Sequence, residues 1–154
     1  MYKILILNGP NINLLGLRQP EIYGRENYED LILYLKKVAL ELNIQIEISQ
    51  SNHEGVLIDT LQKSYPHFDG VVINPAAYTH TSIGLLDTLL AIPIPAIEVH
   101  LSDIKNREAF RQFSFTAQGC VEQVGGLGFG SYRKGLERLI YYLDSQKSKA
   151  SGEK

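Results

Sequence analysis

Hydrophobic residues along the chain form short runs that alternate with longer stretches of helical spacing. The short runs are rich in β-branched and aliphatic side chains, which is typical of buried strands. They cover residues 2–7, 44–49, 70–74, 95–100 and 120–124. The stretches between and after them predict helices at 28–42, 54–64, 79–91, 104–113 and 131–145. The chain is therefore predicted to be a series of strand–helix units.

The clearest helix pattern lies at residues 28–42. One face of it carries Leu31, Leu35, Val38, Ala39 and Leu42 at helical spacing. Asn27 precedes this stretch, and Asp30 follows three residues later. An asparagine can cap the first backbone N–H groups, and a carboxylate is favoured near the positive end of the helix dipole. These residues predict where the helix begins.

Strict alternation of strands and helices predicts an α/β fold with a parallel sheet covered by helices on both faces. Right-handed crossovers leave few topologies, and the doubly wound, flavodoxin-like order 2-1-3-4-5 is the commonest. One domain is predicted over residues 1–145, and the polar residues 146–154 are predicted to be a flexible tail. Ligands of such folds bind beyond the carboxyl ends of the strands, here after strands one, three and four.

Composition narrows the class of protein. The chain has 154 residues, of which 44% are hydrophobic and 21% charged, as in a soluble globular domain. A net charge of −2 argues against a nucleic-acid surface, and no apolar run approaches the ~18 residues of a membrane span. Cys120 is the only cysteine, so no intrachain disulfide can form. A cytoplasmic location is therefore expected.

The connection after the first strand, residues 8–24, is unusually long for a strand-to-helix loop. Such loops commonly have roughly two to six residues, and longer ones are often active-site lids. This one contains Asn11, Arg18 and Tyr23 between glycines and prolines. We therefore expect it to contribute to a site and to close over a ligand.

Further polar groups follow the third and fourth strands. Asn74 and His80 follow the third, and Glu98 and His100 lie two residues apart at the end of the fourth. Period-two geometry places Glu98 and His100 on one face, and buried ionisable groups are costly unless paired. Arg107 and Arg111 would lie one turn apart on the next helix, either in the site or on a solvated face. Carboxamide, imidazole, carboxylate and guanidinium groups should thus meet in one crevice.

Metal and cofactor motifs are absent from the sequence. The histidines do not follow HExxH or a similar spacing, and no carboxylate cluster is evident. The glycine-rich residues 125–132 match neither GxGxxG nor GxxxxGK[ST]. They are predicted to form a tight turn in which Gly128 and Gly130 allow close backbone packing. We therefore expect neither a metal nor a cofactor.

Acid–base catalysis fits this set of side chains best. His100, oriented by Glu98, is a natural general acid, and Tyr23 is the candidate base. Lowering the pKa of a tyrosine from about 10 to about 7 requires about 4 kcal/mol. An exposed ion pair supplies only ~0–1 kcal/mol, whereas Arg18 in a water-poor pocket could supply several times more. On the residues alone, a packed Tyr23 with a solvated Arg18 remains the alternative.

Several of these segments together resemble the type II 3-dehydroquinate dehydratases. They are "ILNGPNINLLGLRQPEIYG", "SNHEGVLID", "NPAAYTHTSIGLLD", "EVHLS" and "REAFR", and with the residues between them they extend from residue 4 to about residue 132. The resemblance implies a flavodoxin-like fold, no metal or cofactor, and a dodecamer built from trimers. It also implies conversion of 3-dehydroquinate to 3-dehydroshikimate, a step of the shikimate pathway, by anti elimination of water through an enolate.

The resemblance further implies a role for individual residues. The catalytic set would be Tyr23 as base, Arg18 as its activator, His100 as acid with Glu98 as partner, and Asn11 at the water that stabilises the enolate oxygen. Substrate binding would involve Asn74, His80, Leu101, Ser102 and Arg111, and Asp87 would reach the site of a neighbouring subunit.

Two rival classes of protein share the predicted fold. A flavin mononucleotide carrier should have a serine- and threonine-rich first loop, which "GPNINLLG" is not. A phospho-receiver needs acidic residues after strand one and an aspartate ending strand three, where this chain has Asn8 and Asn74. The sequence favours the dehydratase over both.

Overall fold

The computed structural model describes residues 1–17, 21 and 25–152. A parallel sheet with the order β2-β1-β3-β4-β5 forms its centre. The strands are β1 (Lys3–Asn8), β2 (Gln45–Gln50), β3 (Gly70–Asn74), β4 (Ala96–Val99) and β5 (Glu122–Val124). The α-helices of this part of the chain are α1 (Tyr28–Leu42), α2 (Glu54–Ser64), α3 (Ile83–Ala91) and α4 (Gly130–Gly152). The predicted flavodoxin-like fold and strand order are confirmed.

The sheet separates two layers of hydrophobic core. On β1, Ile4 and Ile6 face one layer while Leu5 and Leu7 face the other, because successive strand side chains point to opposite faces. Helices α1 and α4 cover the first layer, with buried leucines such as Leu35 and Leu136. Helices α2 and α3 cover the second. Burial on both faces explains why β3 has no exposed residue.

Strand register brings the polar residues to a single edge of the sheet. Asn8 at the end of β1 pairs with Asn74 at the end of β3. On the other side of β3, Ile73 pairs with Glu98 of β4. The carboxyl ends of the three strands are therefore level, which aligns their polar side chains.

The first two predicted helices are confirmed, and the third begins later than predicted. Asn27 and Asp30 form a capping box at α1, in which each side chain accepts a hydrogen bond of 2.9 Å from the other's backbone N–H. Before α3, residues 76–80 form a 3₁₀ turn. Ser82 then caps α3, because its Oγ accepts from the backbone N–H of Leu85 at 2.9 Å.

The prediction of a helix at 104–113 is wrong. Two short 3₁₀ turns, Ile104–Asn106 and Ala109–Arg111, occupy the segment instead. Glu108 lies between them in an extended conformation with ψ 149°. The carbonyl oxygen of Arg107, which a helix would use, accepts a 2.8 Å hydrogen bond from the Gln112 side chain. Side chain–backbone hydrogen bonds thus replace the helical ones.

The C-terminal prediction also needs correction. Helix α4 continues to Gly152, so residues 146–152, expected to form a flexible tail, are helical. The hydroxyl of Tyr2 donates to Asp144 Oδ1 at 2.6 Å, which fixes the helix beside the N-terminus. Within the described residues, no helix is both long and apolar enough to cross a membrane.

Of the glycine-rich residues 125–132, predicted to form a turn, 125–129 do so and 130–132 begin α4, and close packing occurs at other glycines than predicted. A Cβ on Gly128 would meet open space, and one on Gly130 only an ordinary contact at 3.6 Å. Gly128 is needed for its φ of +59°. A Cβ on Gly125 would lie 3.0 Å from the backbone oxygen of Ser102, and the N–H of Gly128 donates to Leu101. The turn therefore supports the segment after β4.

Candidate active site

A cavity opens beyond the carboxyl ends of β1, β3 and β4, where the fold predicts a ligand site. Its walls come from the loop after β1, the 3₁₀ turn after β3 and the segment after β4. Its polar lining residues are Asn11, Asn74, His80, His100, Ser102, Arg107 and Arg111. Apolar side chains such as Ile12, Leu15 and Ile104 form the remaining wall. A small polar molecule would thus meet several donors in a partly apolar pocket.

Glu98 and His100 form a buried pair at the wall of this cavity. Glu98 is fully buried and His100 is 6% exposed. Oε2 of Glu98 lies 3.0 Å from Nε2 of His100. Because an ionised carboxylate only accepts, the imidazole carries its proton on Nε2. Within the described residues no hydrogen bond reaches Nδ1, which leaves that nitrogen for a ligand in the cavity.

Glu98 remains ionised although it is buried. Burial by itself raises the pKa of this carboxyl group. The hydrogen bond and charge of His100, and further hydrogen bonds from Thr116 and Gln123, outweigh burial and hold the pKa below its ordinary value of 4.5. A carboxylate that is charged at neutral pH can therefore stabilise a protonated His100.

Asn74 is held by a buried layer of polar side chains. Its Nδ2 donates to the hydroxyl of Tyr132 at 2.9 Å, and that hydroxyl donates to Oδ1 of Asn8 at 2.6 Å. Burial raises the pKa of Tyr132, so the hydroxyl stays protonated and can donate. Oδ1 of Asn74 accepts from the N–H of Ala76, whose φ of +52° is unusual for a residue with a Cβ. This layer orients the turn that carries His80.

The loop after β1 is fixed against the end of β3 and the segment after β2. A Cβ on Gly9 would lie 2.5 Å from the backbone oxygen of Pro75, so no larger residue fits there. Asn11 has a φ of +69°, and its N–H donates to Oδ1 of Asn52 at 3.1 Å. Gln50 donates to the carbonyl of Gly9 at 3.1 Å. These contacts position Asn11 at the rim of the cavity.

Cationic and histidine side chains concentrate at the end of the cavity after β4. Nδ1 of His80 donates to the carbonyl of Phe113 at 2.8 Å, which leaves its Nε2 as an acceptor. Nη1 of Arg107 donates to Oγ of Ser102 at 3.2 Å. Nε of Arg111 lies 3.0 Å from Oε2 of Glu108. Guanidinium groups in a partly buried setting suit a ligand with a carboxylate.

The described residues show no grouping suited to a metal ion. Within them, no cluster of three or more histidine, cysteine, aspartate or glutamate side chains is placed to hold one. Each imidazole at the cavity already contacts a protein acceptor, Glu98 for His100 and the Phe113 carbonyl for His80.

Comparison with known proteins identifies the family. Residues 2–140 match the family "Dehydroquinase class II". The chain is 52% identical to a 3-dehydroquinate dehydratase of Carboxydothermus hydrogenoformans over 92% of each chain. It is 47% identical to the one from Gloeothece citriformis, over 92% of this chain and 93% of that protein. This chain belongs to the class II dehydroquinase family.

Solved structures of class II dehydroquinases share the fold. The crystal structure of the type II dehydroquinase from Butyrivibrio crossotus superposes with a TM-score of 0.88 at 45% identity, covering 90% of this chain and 97% of that one. The one from Propionibacterium acnes gives 0.85 at 35% identity, covering 94% and 97%. The resemblance inferred from the sequence motifs is thus confirmed.

The structure gathers most of the site residues predicted for a class II dehydroquinase. Asn11, Asn74, His80, His100, Leu101, Ser102 and Arg111 line one cavity, and Glu98 lies behind His100. Asp87 lies on the exposed side of α3 and does not line the cavity of its own chain. Arg18 and Tyr23 lie outside the described residues.

Sequence reasoning missed some residues at and behind this cavity. The sequence left open whether Arg107 belongs to the site or to a solvated helix face. In the structure its side chain is only 14% exposed and lines the cavity. Hydroxyl groups of Thr79, Ser114 and Thr116 contact Glu98. Serine and threonine have no characteristic spacing here, so no sequence signal indicated them.

We predict that Tyr132→Phe lowers the free energy of unfolding by about 1–3 kcal/mol, because Nδ2 of Asn74 and Oδ1 of Asn8 lose their buried partner. Urea unfolding followed by circular dichroism would measure this. The matched control is Tyr141→Phe, which removes an exposed hydroxyl. Equal stability of the wild type and both variants would show that the buried hydroxyl contributes nothing.

Proposed function

We propose that this chain is a type II 3-dehydroquinate dehydratase, which converts 3-dehydroquinate to 3-dehydroshikimate and water in the shikimate pathway. The observation that carries the proposal is the buried Glu98–His100 pair at a cavity with arginine side chains, in a chain of the class II dehydroquinase family. Relatives of this chain are named 3-dehydroquinate dehydratase. The substrate's carboxylate and hydroxyl groups match the cations and hydrogen-bonding groups of the cavity.

His100 is the general acid in the proposed mechanism. With Nε2 bonded to Glu98, the proton for the leaving hydroxyl comes from Nδ1. The nearby anion of Glu98 supports the protonated ring before transfer and keeps the ring in one orientation afterwards. The hydroxyl then departs as water, and the enolate collapses to the enone.

Tyr23 is the proposed base and removes a proton from the carbon next to the ketone. Near neutral pH it must be held as a phenolate, which requires about 4 kcal/mol relative to an ordinary tyrosine. Arg18 is the proposed source of this stabilisation, since a guanidinium in a water-poor site acts through a low effective dielectric. Anti elimination requires Tyr23 and His100 to act on opposite faces of the substrate ring.

The remaining polar groups bind the substrate and the enolate. The segment of Leu101 and Ser102, with Arg111 nearby, is proposed to receive the carboxylate. Asn74 and His80 would bind substrate hydroxyl groups, and Nε2 of His80 is free to accept because Nδ1 is bonded to Phe113. Asn11 would hold a water against the enolate oxygen, where charge develops in the transition state. A cytoplasmic location would suit this role.

Assembly is part of the proposed function. Asp87 does not line the cavity of its own chain, and its side of α3 is exposed. We propose that it completes the site of a neighbouring subunit within a trimer, and that trimers form a homododecamer. Membership of the family supports this arrangement.

The first prediction from the proposed function is that the purified protein is active without added cofactor. Purified protein given 3-dehydroquinate should show growing ultraviolet absorbance, because the product is a conjugated enone. The rate should survive dialysis against a chelator. His100→Asn, which removes the proposed acid, should lower kcat by about 10²–10⁴-fold. If wild-type protein yields no enone, the proposed function is wrong.

The second prediction concerns the base. Tyr23→Phe should abolish turnover, with a loss of about 10²-fold or more, because phenylalanine cannot accept a proton. Tyr65→Phe, an exposed tyrosine outside the cavity, is the matched control and should retain full activity. Circular dichroism should show both variants folded. Normal kcat in Tyr23→Phe would remove this residue from the mechanism.

The third prediction concerns assembly. Light scattering should give a mass near twelve times 17.3 kDa, and Asp87→Ala should lower activity. Mixing unfolded Asp87→Ala and Tyr23→Phe chains and refolding them together should recover activity, because some mixed sites would contain both native residues. Asp87→Ser offers a milder companion variant. A single-chain mass, or mixtures no more active than their components, would contradict the proposal.

A further inference from the structure

The carboxylate of Glu98 has more partners than His100 alone. Four other side chains donate hydrogen bonds to it, and we call them the Glu98 cradle. They are Thr79 (2.9 Å to Oε1), Thr116 (to Oε1), Ser114 (2.8 Å to Oε2) and Gln123 (2.7 Å to Oε2). None of them belongs to the catalytic or substrate-binding set proposed above.

The number of donors exceeds what one carboxylate can accept. Its two oxygens offer about four lone-pair sites, whereas His100 and the cradle supply five candidate donors. One hydroxyl can instead donate to another, since the oxygens of Thr79 and Thr116 lie 2.8 Å apart. The carboxylate is therefore saturated as an anion, and a proton on either of its oxygens would displace one of the donors.

Three separate segments of the chain supply the cradle. Thr79 comes from the turn after β3, the two other hydroxyls from residues 112–119, and Gln123 from β5. Backbone contacts fix these segments to one another: the N–H of Phe115 donates to the carbonyl of Thr79 at 2.8 Å. The N–H of Ala117 also donates to Oγ of Ser114 at 3.0 Å. Strand pairing of Gln123 with Glu98 places the third segment, so the backbone brings the cradle side chains to the carboxylate.

We propose that the Glu98 cradle positions the general acid: it holds Glu98 ionised and in one orientation, so that His100 keeps a proton on Nε2 and presents Nδ1 to the substrate. The kinetic consequence rests on the proposed dehydratase function. The consequence for protonation does not, because it concerns the substrate-free protein.

Loss of a cradle hydrogen bond has a predictable direction. Each donor favours the charged carboxylate, so its removal raises the pKa of Glu98. Activity needs the ionised form of Glu98. When the solution is acidified, a variant that lacks a cradle donor would therefore lose activity at a higher pH than the wild type does. Among the described residues, the titratable groups that face Glu98 are His100, directly after its strand, and the Cys120 thiol before β5. Burial, and then the charge of Glu98, raises the pKa of Cys120, which stays neutral.

The test is Thr116→Val, which keeps the shape of the side chain and removes the hydroxyl. Carbon-13 NMR of the substrate-free protein should show the titration of Glu98 shifted upward by about one pH unit, the effect of one hydrogen bond to a charged group. Nitrogen-15 NMR should show His100 losing its uniform Nε2–H form. With 3-dehydroquinate, kcat should fall about tenfold while KM stays within about twofold, and the acid limb of the pH profile should move up.

Matched variants separate positioning from structure. Thr88→Val is the control: this buried hydroxyl donates to the carbonyl of Gly84 in its own helix at 2.9 Å, so all of these readouts should equal those of the wild type. Thr116→Ser should restore them, because it keeps the hydroxyl. Gln123→Met repeats the test at an exposed residue that tolerates substitution, should Thr116→Val not fold.

Two results would overturn the proposal. One is a folded Thr116→Val or Gln123→Met variant whose Glu98 titration, His100 form and pH profile match the wild type. The other is a fall in kcat with both NMR signatures unchanged. A wild-type protein inactive on 3-dehydroquinate would instead refute the dehydratase function, and the NMR titration would still decide whether the cradle holds Glu98 ionised.

Discussion

A buried negative charge is the constraint on which the rest of this site depends. Glu98 lies fully inside the protein, at the end of an apolar central strand. An isolated carboxylate in such a place would take up a proton, because losing water disfavours the charged form. Here the charge persists since imidazole, hydroxyl and amide donors surround both oxygens. These donors come from separate elements, so the fold must bring the elements together around Glu98.

The same requirement explains the polar layer beside it. Asn8 and Asn74 end neighbouring strands and are almost completely buried, so their amides need partners inside the protein. Tyr132, from the helix that packs over these strands, supplies one hydroxyl to both. An apolar sheet therefore ends in a polar layer in which Tyr132 joins the two amides, and the cavity lies directly beyond it. Function is placed at that edge because the register of parallel strands aligns their ends.

Prediction succeeded where local pattern and tertiary structure agree. The helix at 28–42 has an apolar face and a capping box, and both its ends are as predicted. Prediction failed where a side chain forms a hydrogen bond with a backbone group that the expected helix would have used. Ser82 begins α3 later than its hydrophobic spacing indicates, and Gln112 captures a carbonyl that the expected helix at 104–113 would have used. Such bonds of about 1 kcal/mol are enough to decide a marginal helix.

The sequence by itself determined the five strands and their order, four of the five predicted helices, the polar residues at the strand ends and the pairing of Glu98 with His100. These follow from short-range periodicity, in which residues two or three to four apart share a face. Only the tertiary structure decided which groups stabilise that pair. Thr79, Ser114 and Thr116 are 16 to 19 residues from Glu98 in the chain. Hydrogen bonds over such separations leave no periodic trace, because they depend on how whole elements pack.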